Sequence, residues 1–459
     1  MRTENTRKGR SVALALLILL VGSNGATGQE QSADILPAHF PYPAALRPQV
    51  EFWKKVFAQY SKFQVVIHDT ETMKVYKVLD FRPMVDEEGL DEATVLQIRQ
   101  EQTKVKLEQI RSILLKLHQC GEECGDLDPD EQRIWNLYKK VNDPDKFRDA
   151  ASEDRLRSQV GIQENFKRAI QVSRRYLHAM EEIFRREGVP VELTRLPFIE
   201  SSFNVGAYSK VGAAGIWQFM PATGRLYKLR VTDTVDERRD PLIATEAAAR
   251  FLRANYETLG TWPLAITAYN HGPGGLAAAV DEVGTTDIAK IIRSYRGKRF
   301  GFASRNFYPE FLAALQVEKD YENHFGSLEL EAPLRYEHVR VDCPIPLKTA
   351  ARFAETDEDD LVLLNPALGG GVRNGRSSIP HGYRLRVPVG ASASFLDVYN
   401  PWQIKEKDRL VALEQARKAK LAAARARKGS KARTKLAKKR SSSRQVARES
   451  APKTKKQPG

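Results

Sequence analysis

The sequence predicts a mainly α chain: an α+β central domain, a helical N-terminal region before it, and a small β-α-α-β module behind it. Three observations carry this. Apolar residues recur at helical spacing across 164–187 and in a series of shorter segments, several opened by proline. Runs rich in β-branched and aromatic residues at 62–68 and 73–81, and later at 336–341 and 383–387, suit short strands. The composition then changes at Lys405. From there to Gly459 stand 20 Lys and Arg against 4 Asp and Glu, a net +16, so the whole chain's +15 leaves −1 for everything before it. The basic character belongs to the tail.

Residues 1–28 read as a secretory signal peptide. Arg2, Arg7, Lys8 and Arg10 precede an apolar run from Val12 to Val21, and small residues follow through Gly25, Ala26 and Gly28. The run is too short for a membrane span, and no later stretch is expected to make one. No cysteine follows closely enough for lipid attachment at a mature N-terminus. The expected location is a periplasm. Of three cysteines, Cys120 and Cys124 flank a small loop that suits a disulfide in an oxidising compartment, or two unpaired thiols at a helix end. A zinc site needs more ligands than His118 adds, so no metal and no cofactor is expected.

Residues 36–153 form an expected scaffold without a catalytic constellation. A short helix at 50–60 has Trp53, Val56 and Phe57 on one side, and a hairpin turns at 69–72. An amphipathic helix at 94–118 is expected to bury Val95, Ile98, Val105, Leu107, Ile110, Leu114 and Leu115.

The central domain, 154–326, opens with a long helix at 164–187 that ends at Gly188 and Pro190. A second helix begins at Pro190, with Pro197 in its interior as a kink or stop. Glu200 and Ser201 stand at its end. A loop with Gly206, Gly212 and Gly215 then leads into Ile216-Trp217-Gln218-Phe219-Met220-Pro221. Folded back over Glu200, it would set Trp217, Phe219 and Met220 as an apolar wall with Gln218 as its polar member. A carboxyl there resists ionisation and suits a general acid. Further helices are expected at 221–226, 241–256, 263–269, 286–295 and 308–323. The one at 263–269 carries Ala268-Tyr269-Asn270 into a Gly/Pro loop.

Glu-Ser, then Gly-Ile-Trp-Gln-Phe-Met-Pro, then Ala-Tyr-Asn in this order resembles the soluble lytic transglycosylase family, glycoside hydrolase family 23. The resemblance implies a lysozyme-like α+β catalytic domain acting on peptidoglycan glycan strands. It implies that Glu200 protonates the glycosidic oxygen between N-acetylmuramic acid and N-acetylglucosamine, then takes the C6 hydroxyl proton, leaving a 1,6-anhydro end. It also implies substrate contacts from Gln218 and Tyr269, Ser201 bonding near the carboxylate or the substrate, Asn270 at the substrate side but bracing the loop more than touching sugar, and Trp217 stacking on sugar or packing in the core. Asp233, Asp236 and Asp240 read as caps and solvated loop. Where relatives often carry Arg-Asn-Tyr-Val-Pro, this chain has Arg305-Asn306-Phe307-Tyr308-Pro309; either Tyr308 substitutes for the tyrosine or the phenol at that subsite is absent.

Residues 333–390 resemble a degenerate LysM repeat, a glycan-binding fold, with Cys343-Pro344-Ile345-Pro346-Leu347 replacing its usual Gly-Asp-Thr-Leu. The tail, 403–459, reads as disordered with a nascent helix at 403–426. Export points it toward an anionic envelope surface more than toward nucleic acid, or toward a solubilising tail without a specific partner. Three rival readings stay open: a goose-type lysozyme-like hydrolase, a catalytically silent wall-binding protein, and a nucleic-acid binder that rests only on the tail.

Overall fold

The structure, a computed structural model, describes residues 38–449. The expected signal peptide lies outside them. The chain is mostly helical, with one three-stranded and one two-stranded sheet among the described residues. No helix among those residues is long and apolar enough to cross a membrane.

Helix α1 (Arg47–Ala58) buries Val50, Trp53, Val56 and Phe57, and these join the core of the central helices. Phe57 stacks on Phe166 at 4.9 Å, and the Trp53 indole donates to Asn306 at 3.0 Å. The hairpin forms as β1 (Gln64–Asp69) and β2 (Val75–Asp80). A third strand absent from the sequence reading, β3 (Leu156–Val160), pairs antiparallel with β1 on its other edge. The order β2-β1-β3 makes β1 central, which explains why it is buried along its whole length. Sheet and core thus both run across residue 153.

After α2 (Arg82–Asp86), helix α3 (Glu92–Cys120) is capped by Asp91, whose side chain accepts from the Thr94 amide. It buries Val95, Ile110, Leu114 and Leu117, but Val105 and Leu115 stand 59% and 40% exposed. The buried seam steps through Thr103, Ile110, Leu114 and Leu117, and the other two lie off it. Cys120 and Cys124 are joined as a disulfide. Helices α4 (Pro129–Tyr138) and α5 (Lys146–Ala150) close a second core under the sheet.

The long helix expected at 164–187 is two: α6 (Gln163–Ser173) and α7 (Leu177–Glu187). At the break the Ser173 hydroxyl donates back to the Ile170 carbonyl, a local bond that competes with helix continuation. The apolar period runs on through both pieces, so sequence alone shows one helix. Beyond α8 (Leu196–Ser201) and α9 (Pro221–Leu226), the domain is built of α10 (Pro241–Leu259), α11 (Trp262–His271), α12 (Pro273–Val283), α13 (Ile288–Ser294), α14 (Phe302–Lys319) and α15 (Tyr321–Phe325). Helix α12 replaces the expected Gly/Pro loop, with Pro273 in its first turn, where a missing amide hydrogen costs nothing. A side chain at Gly275 would meet the His271 ring at 2.6 Å. After β3, the described residues up to 336 carry isolated bridges such as Tyr208–Ala214 and Ala214–Phe219 in place of further strands.

The C-terminal module has β4 (Glu337–Arg340), α16 (Leu347–Phe353), α17 (Glu358–Leu364), a short α18 (Gly370–Arg373) and β5 (Arg384–Val387). β4 and β5 pair antiparallel with Val339 opposite Leu385. Its core extends past residue 390 into α19 (Ser392–Glu449), where Phe395 and Tyr399 are buried and the Tyr399 hydroxyl donates to the Cys343 carbonyl at 2.9 Å. The tail expected to be disordered continues α19 as helix through Glu449. Ala, Lys and Arg, which dominate it, are strong helix formers.

Candidate functional site

Glu200 is delivered by a short helix. Pro190 is extended and leads a 3-10 turn, Val191–Arg195, and α8 starts afresh at Leu196. Pro197 therefore falls in the first turn of α8, not in a helix interior, and no kink forms. Leu196, Pro197 and Phe198 are buried and anchor the helix. The chain leaves α8 through Ser202 and Phe203, both left-handed at φ 50° and 52°. Phe203 is nearly fully buried, which holds this unusual turn in place.

The following loop is sewn to the end of α8. The Ser201 hydroxyl donates to the Ile216 carbonyl at 2.9 Å. The Tyr269 hydroxyl, from α11, donates to the Trp217 carbonyl at 2.9 Å. The Gln218 side-chain amide donates to the Gly215 carbonyl at 2.8 Å, and Gln218 itself sits at φ 48°. Gly215 has φ 75°, and a Cβ there would lie 1.9 Å from the Arg238 carbonyl oxygen, so only glycine fits. Arg238, buried and paired with Asp236 at 2.7 Å, donates to the carbonyls of Gly212 and Phe219 at 2.7 and 3.0 Å. Asp236 caps the 3-10 turn Glu237–Arg239, accepting from the Arg238 amide, and with Arg238, which no sequence motif singles out, it staples both ends of the loop. Asp240 does cap α10, accepting from the amides of Leu242 and Ile243.

The electrostatics follow from this enclosure. Glu200 is half-buried, and burial pushes its carboxyl up to about 8, with no hydrogen bond or counter-charge offsetting it. Burial, and then the Glu200 charge, push the Tyr269 phenol well above its usual range. A second carboxyl shares the field. Glu310, on α14, is pushed up to about 8 by burial first and by the Glu200 charge second, with Arg157 pulling the other way. It was missed because it lies one place beyond the Arg305–Pro309 segment. The legible signal was a lone acid inside the apolar run Phe307–Leu315. Two such neighbours titrate as a pair.

Glu200, Ser201, Gln218 and Tyr269 thus come together. Trp217 does not offer a stacking face: it is fully buried, its indole donating to Thr245 at 2.9 Å and its ring stacked on Phe184. Phe219 is also buried, whereas Met220 is 41% exposed and leaves the expected apolar wall. Tyr308 is fully buried, and its hydroxyl donates to the Pro41 carbonyl at 2.7 Å, which removes it from any sugar subsite. Asn270 is exposed and accepts from Ser304 at 3.0 Å, bracing α11 against α14. Among the described residues no group of three or more His, Cys, Asp or Glu is arranged to hold a metal.

Residues 179–292 match the family described as Transglycosylase SLT domain, which bears out the resemblance read from the motifs. Membrane-bound lytic murein transglycosylase D of Escherichia coli K12 is 30% identical over 204 residues, covering 42% of this chain and 43% of that protein. The chain therefore spans less than half the length of this curated relative. Among solved structures, lytic transglycosylase Slt of Pseudomonas aeruginosa matches at 16% identity and TM-score 0.28, over 48% of this chain and 37% of that one. The 70 kDa soluble lytic transglycosylase of Escherichia coli matches at 14% identity and TM-score 0.27, over 53% of this chain and 48% of that one.

Proposed function

We propose that this chain is a peptidoglycan lytic transglycosylase cleaving the β-1,4 bond between N-acetylmuramic acid and N-acetylglucosamine. The observation that carries the reading is Glu200, a carboxyl raised to about 8 by burial beside Gln218 and Tyr269, inside the segment matching the SLT domain. Such a group is protonated at neutral pH and can act as a general acid. It donates its proton to the glycosidic oxygen as the C1–O bond breaks. The resulting carboxylate then accepts the C6 hydroxyl proton while that oxygen closes on C1, giving a 1,6-anhydromuramic end with no water consumed. The substrate's own acetamido carbonyl supports the charge at C1, so no protein nucleophile is needed.

Tyr269 and Gln218 each spend a donor on the loop backbone, which leaves their oxygens to accept from acetamido N–H or sugar hydroxyl groups. Ser201 and Asn270 act on geometry, one holding the loop and the other α14. The signal-peptide reading makes the site of action periplasmic. The β4–β5 module would add a LysM-like glycan contact, and the basic tail an anionic envelope contact.

A hydrolytic second reading has one observation in its favour, Glu310. Ordinary glycosidases use a second carboxylate as nucleophile or to activate water, and Glu310 is close enough to feel the Glu200 charge. Mass spectrometry of muropeptides released from purified sacculi separates the two. Anhydro-terminated products, lost in Glu200→Gln, are expected. Reducing-end products would establish the hydrolase instead, and binding without release would leave a wall-binding protein.

A further inference from the structure

A cavity of about 390 Å³ lies between α10 and the C-terminal module, but its central charges, Asp240 and Arg386, are already paired with each other. A second cavity, of about 300 Å³, is different. It lies where the N-terminal hairpin meets α13 and α14, and its lining includes Gln49, Glu71, Arg293, Arg296 and Arg305. Glu71 lies among Arg296, Arg305 and Arg155, the last at 3.9 Å, while Arg293 in the same lining is exposed.

These charges pair only loosely, without direct hydrogen bonds between them. Glu71 lies 3.8 Å from Arg296 and 3.7 Å from Arg305, beyond hydrogen-bond distance in both cases. The Arg305 Nε is buried with no partner, and so is the Gln49 Oε1. Burial and the Arg296 charge both work against the Arg305 cation, while Glu71 and Asp154 favour it. Buried donors and acceptors left unpaired are rare because each costs the hydrogen bond it had with water.

The walls are held in place without help from a ligand. Asp69, fully buried, accepts from the amides of Glu71 and Thr72 at 2.8 Å each and pairs with Arg155. Thr70 is tied to the Asp154 carbonyl through its hydroxyl at 2.9 Å. The hairpin turn is therefore a rigid rim, and α14 is the opposite one.

We propose that this cavity binds the carboxylate end of a short peptide. Arginine pairs recognise carboxylates with two parallel N–H donors; here the Arg305 Nε has no partner, and Arg296 beside it spends one donor on the Tyr295 carbonyl at 3.2 Å. Gln49 Oε1 and the Glu71 carboxylate call for N–H groups on the same ligand, which a peptide terminus carries and a bare inorganic anion lacks. The volume stands at the small end of ligand pockets and suits one or two residues. Arg305 also lies on the same helix as Glu310, roughly 7.5 Å along the axis at helical rise. Ser304, next to Arg305, bonds to Asn270 beside Tyr269. If the glycan reading is right, the peptide belongs to the side chains of that polymer, and this clause and the choice of probe peptide rest on that reading.

The test is calorimetric titration of the full chain with N-acetyl-D-alanyl-D-alanine, its C-terminal amide, and inorganic phosphate. The acid is expected to bind, with the amide and phosphate each at least about tenfold weaker, as loss of a charged hydrogen bond implies. Arg296→Gln and Arg305→Gln should each weaken the acid about tenfold or more. The exposed Arg293→Gln serves as a second variant should Arg305→Gln fail to fold. Glu200→Gln should bind like the unaltered chain. Equal binding of acid and amide, no binding at millimolar peptide, or folded variants that bind unchanged would overturn the proposal. Phosphate binding as tight as the acid would reduce it to a simple anion site and overturn the peptide assignment. A chain that binds the acid yet releases no muropeptides would keep the cavity and refute the enzymatic reading separately.

Discussion

The Tyr269 hydroxyl donates to the Trp217 carbonyl at 2.9 Å, tying α11 to the loop that follows Glu200. The bond fixes the phenol's hydrogen, so toward a bound sugar Tyr269 can only accept. Tyr269→Phe removes that acceptor and leaves the Trp217 carbonyl without this partner. Stability should fall by about 1–3 kcal/mol in urea denaturation. On soluble glycan strands kcat/KM should fall about tenfold or more. A variant with unchanged turnover would show that the phenol is a strut and nothing else.

Glu200 makes the fold less stable as pH rises. Its folded value of about 8 lies above the ordinary 4.5, so the native state holds a proton that the unfolded chain releases between those values. The penalty is absent below the unfolded value, grows through neutrality and levels off above about 8. Allowing for screening through the open side of the site, it reaches roughly 2–4 kcal/mol. Glu200→Gln should therefore stabilise the protein by that order at pH 8 and leave it unchanged at pH 4. Equal effects at both pH values would mean that the carboxyl is not held protonated.

Glu310 and Glu200 cannot both ionise cheaply, because the charge of one raises the other. Activity that needs protonated Glu200 should fall as pH rises through about 8. In Glu310→Gln the neighbour is neutral at every pH, so the alkaline limb of kcat/KM should move to lower pH. The product is informative as well. Anhydro ends that persist in Glu310→Gln would show that the second carboxyl tunes the first without activating water.

The order of motifs made Glu200, Ser201, Gln218 and Tyr269 legible because each lies in a segment whose local chemistry is distinctive. The helices were legible where apolar period and proline agreed, as at α9, whose predicted and observed bounds coincide. What stayed hidden depended on partners distant in sequence. β3 is a short strand with a mixed pattern, visible only once β1 supplies its other edge. Trp217 and Tyr308 carry polar atoms that suit sugar, yet Thr245 and Pro41 take those atoms inside the core. Arg238 acts through backbone carbonyls, which no side-chain pattern announces.

Gly215 is where the loop passes closest to its support. Gly215→Ala would set a methyl 1.9 Å from the Arg238 carbonyl at φ 75°, a conformation alanine resists even without the clash. The loop must move, and Ile216, Trp217 and Gln218 move with it. Activity should drop at least about a hundredfold, as misplacement near the chemistry of only about 1 Å does. Near-ultraviolet circular dichroism should lose part of its Trp signal. Retained activity would show that Gln218 and Tyr269 tolerate a displaced loop.

Arg386, on β5, forms a two-pronged pair with Asp240 at 2.6 and 3.1 Å, and both are buried. Asn365 fastens the same residue by donating to its carbonyl and accepting from its amide. Asp240 also caps α10, so one carboxylate joins the C-terminal module to the central domain and starts a core helix. Arg386→Met should leave that carboxylate buried without its charge partner and destabilise the protein by about 3–5 kcal/mol. Replacing both partners, with Asp240→Asn to retain a helix cap, should recover much of the loss, since a buried pair is costly mainly when half is removed. Limited proteolysis reads the result: the single variant should be cut in the segment 327–336 between domain and module, and the double variant should resist. If the single variant resists as well, the module is held by its apolar contacts and the ion pair serves only the helix start.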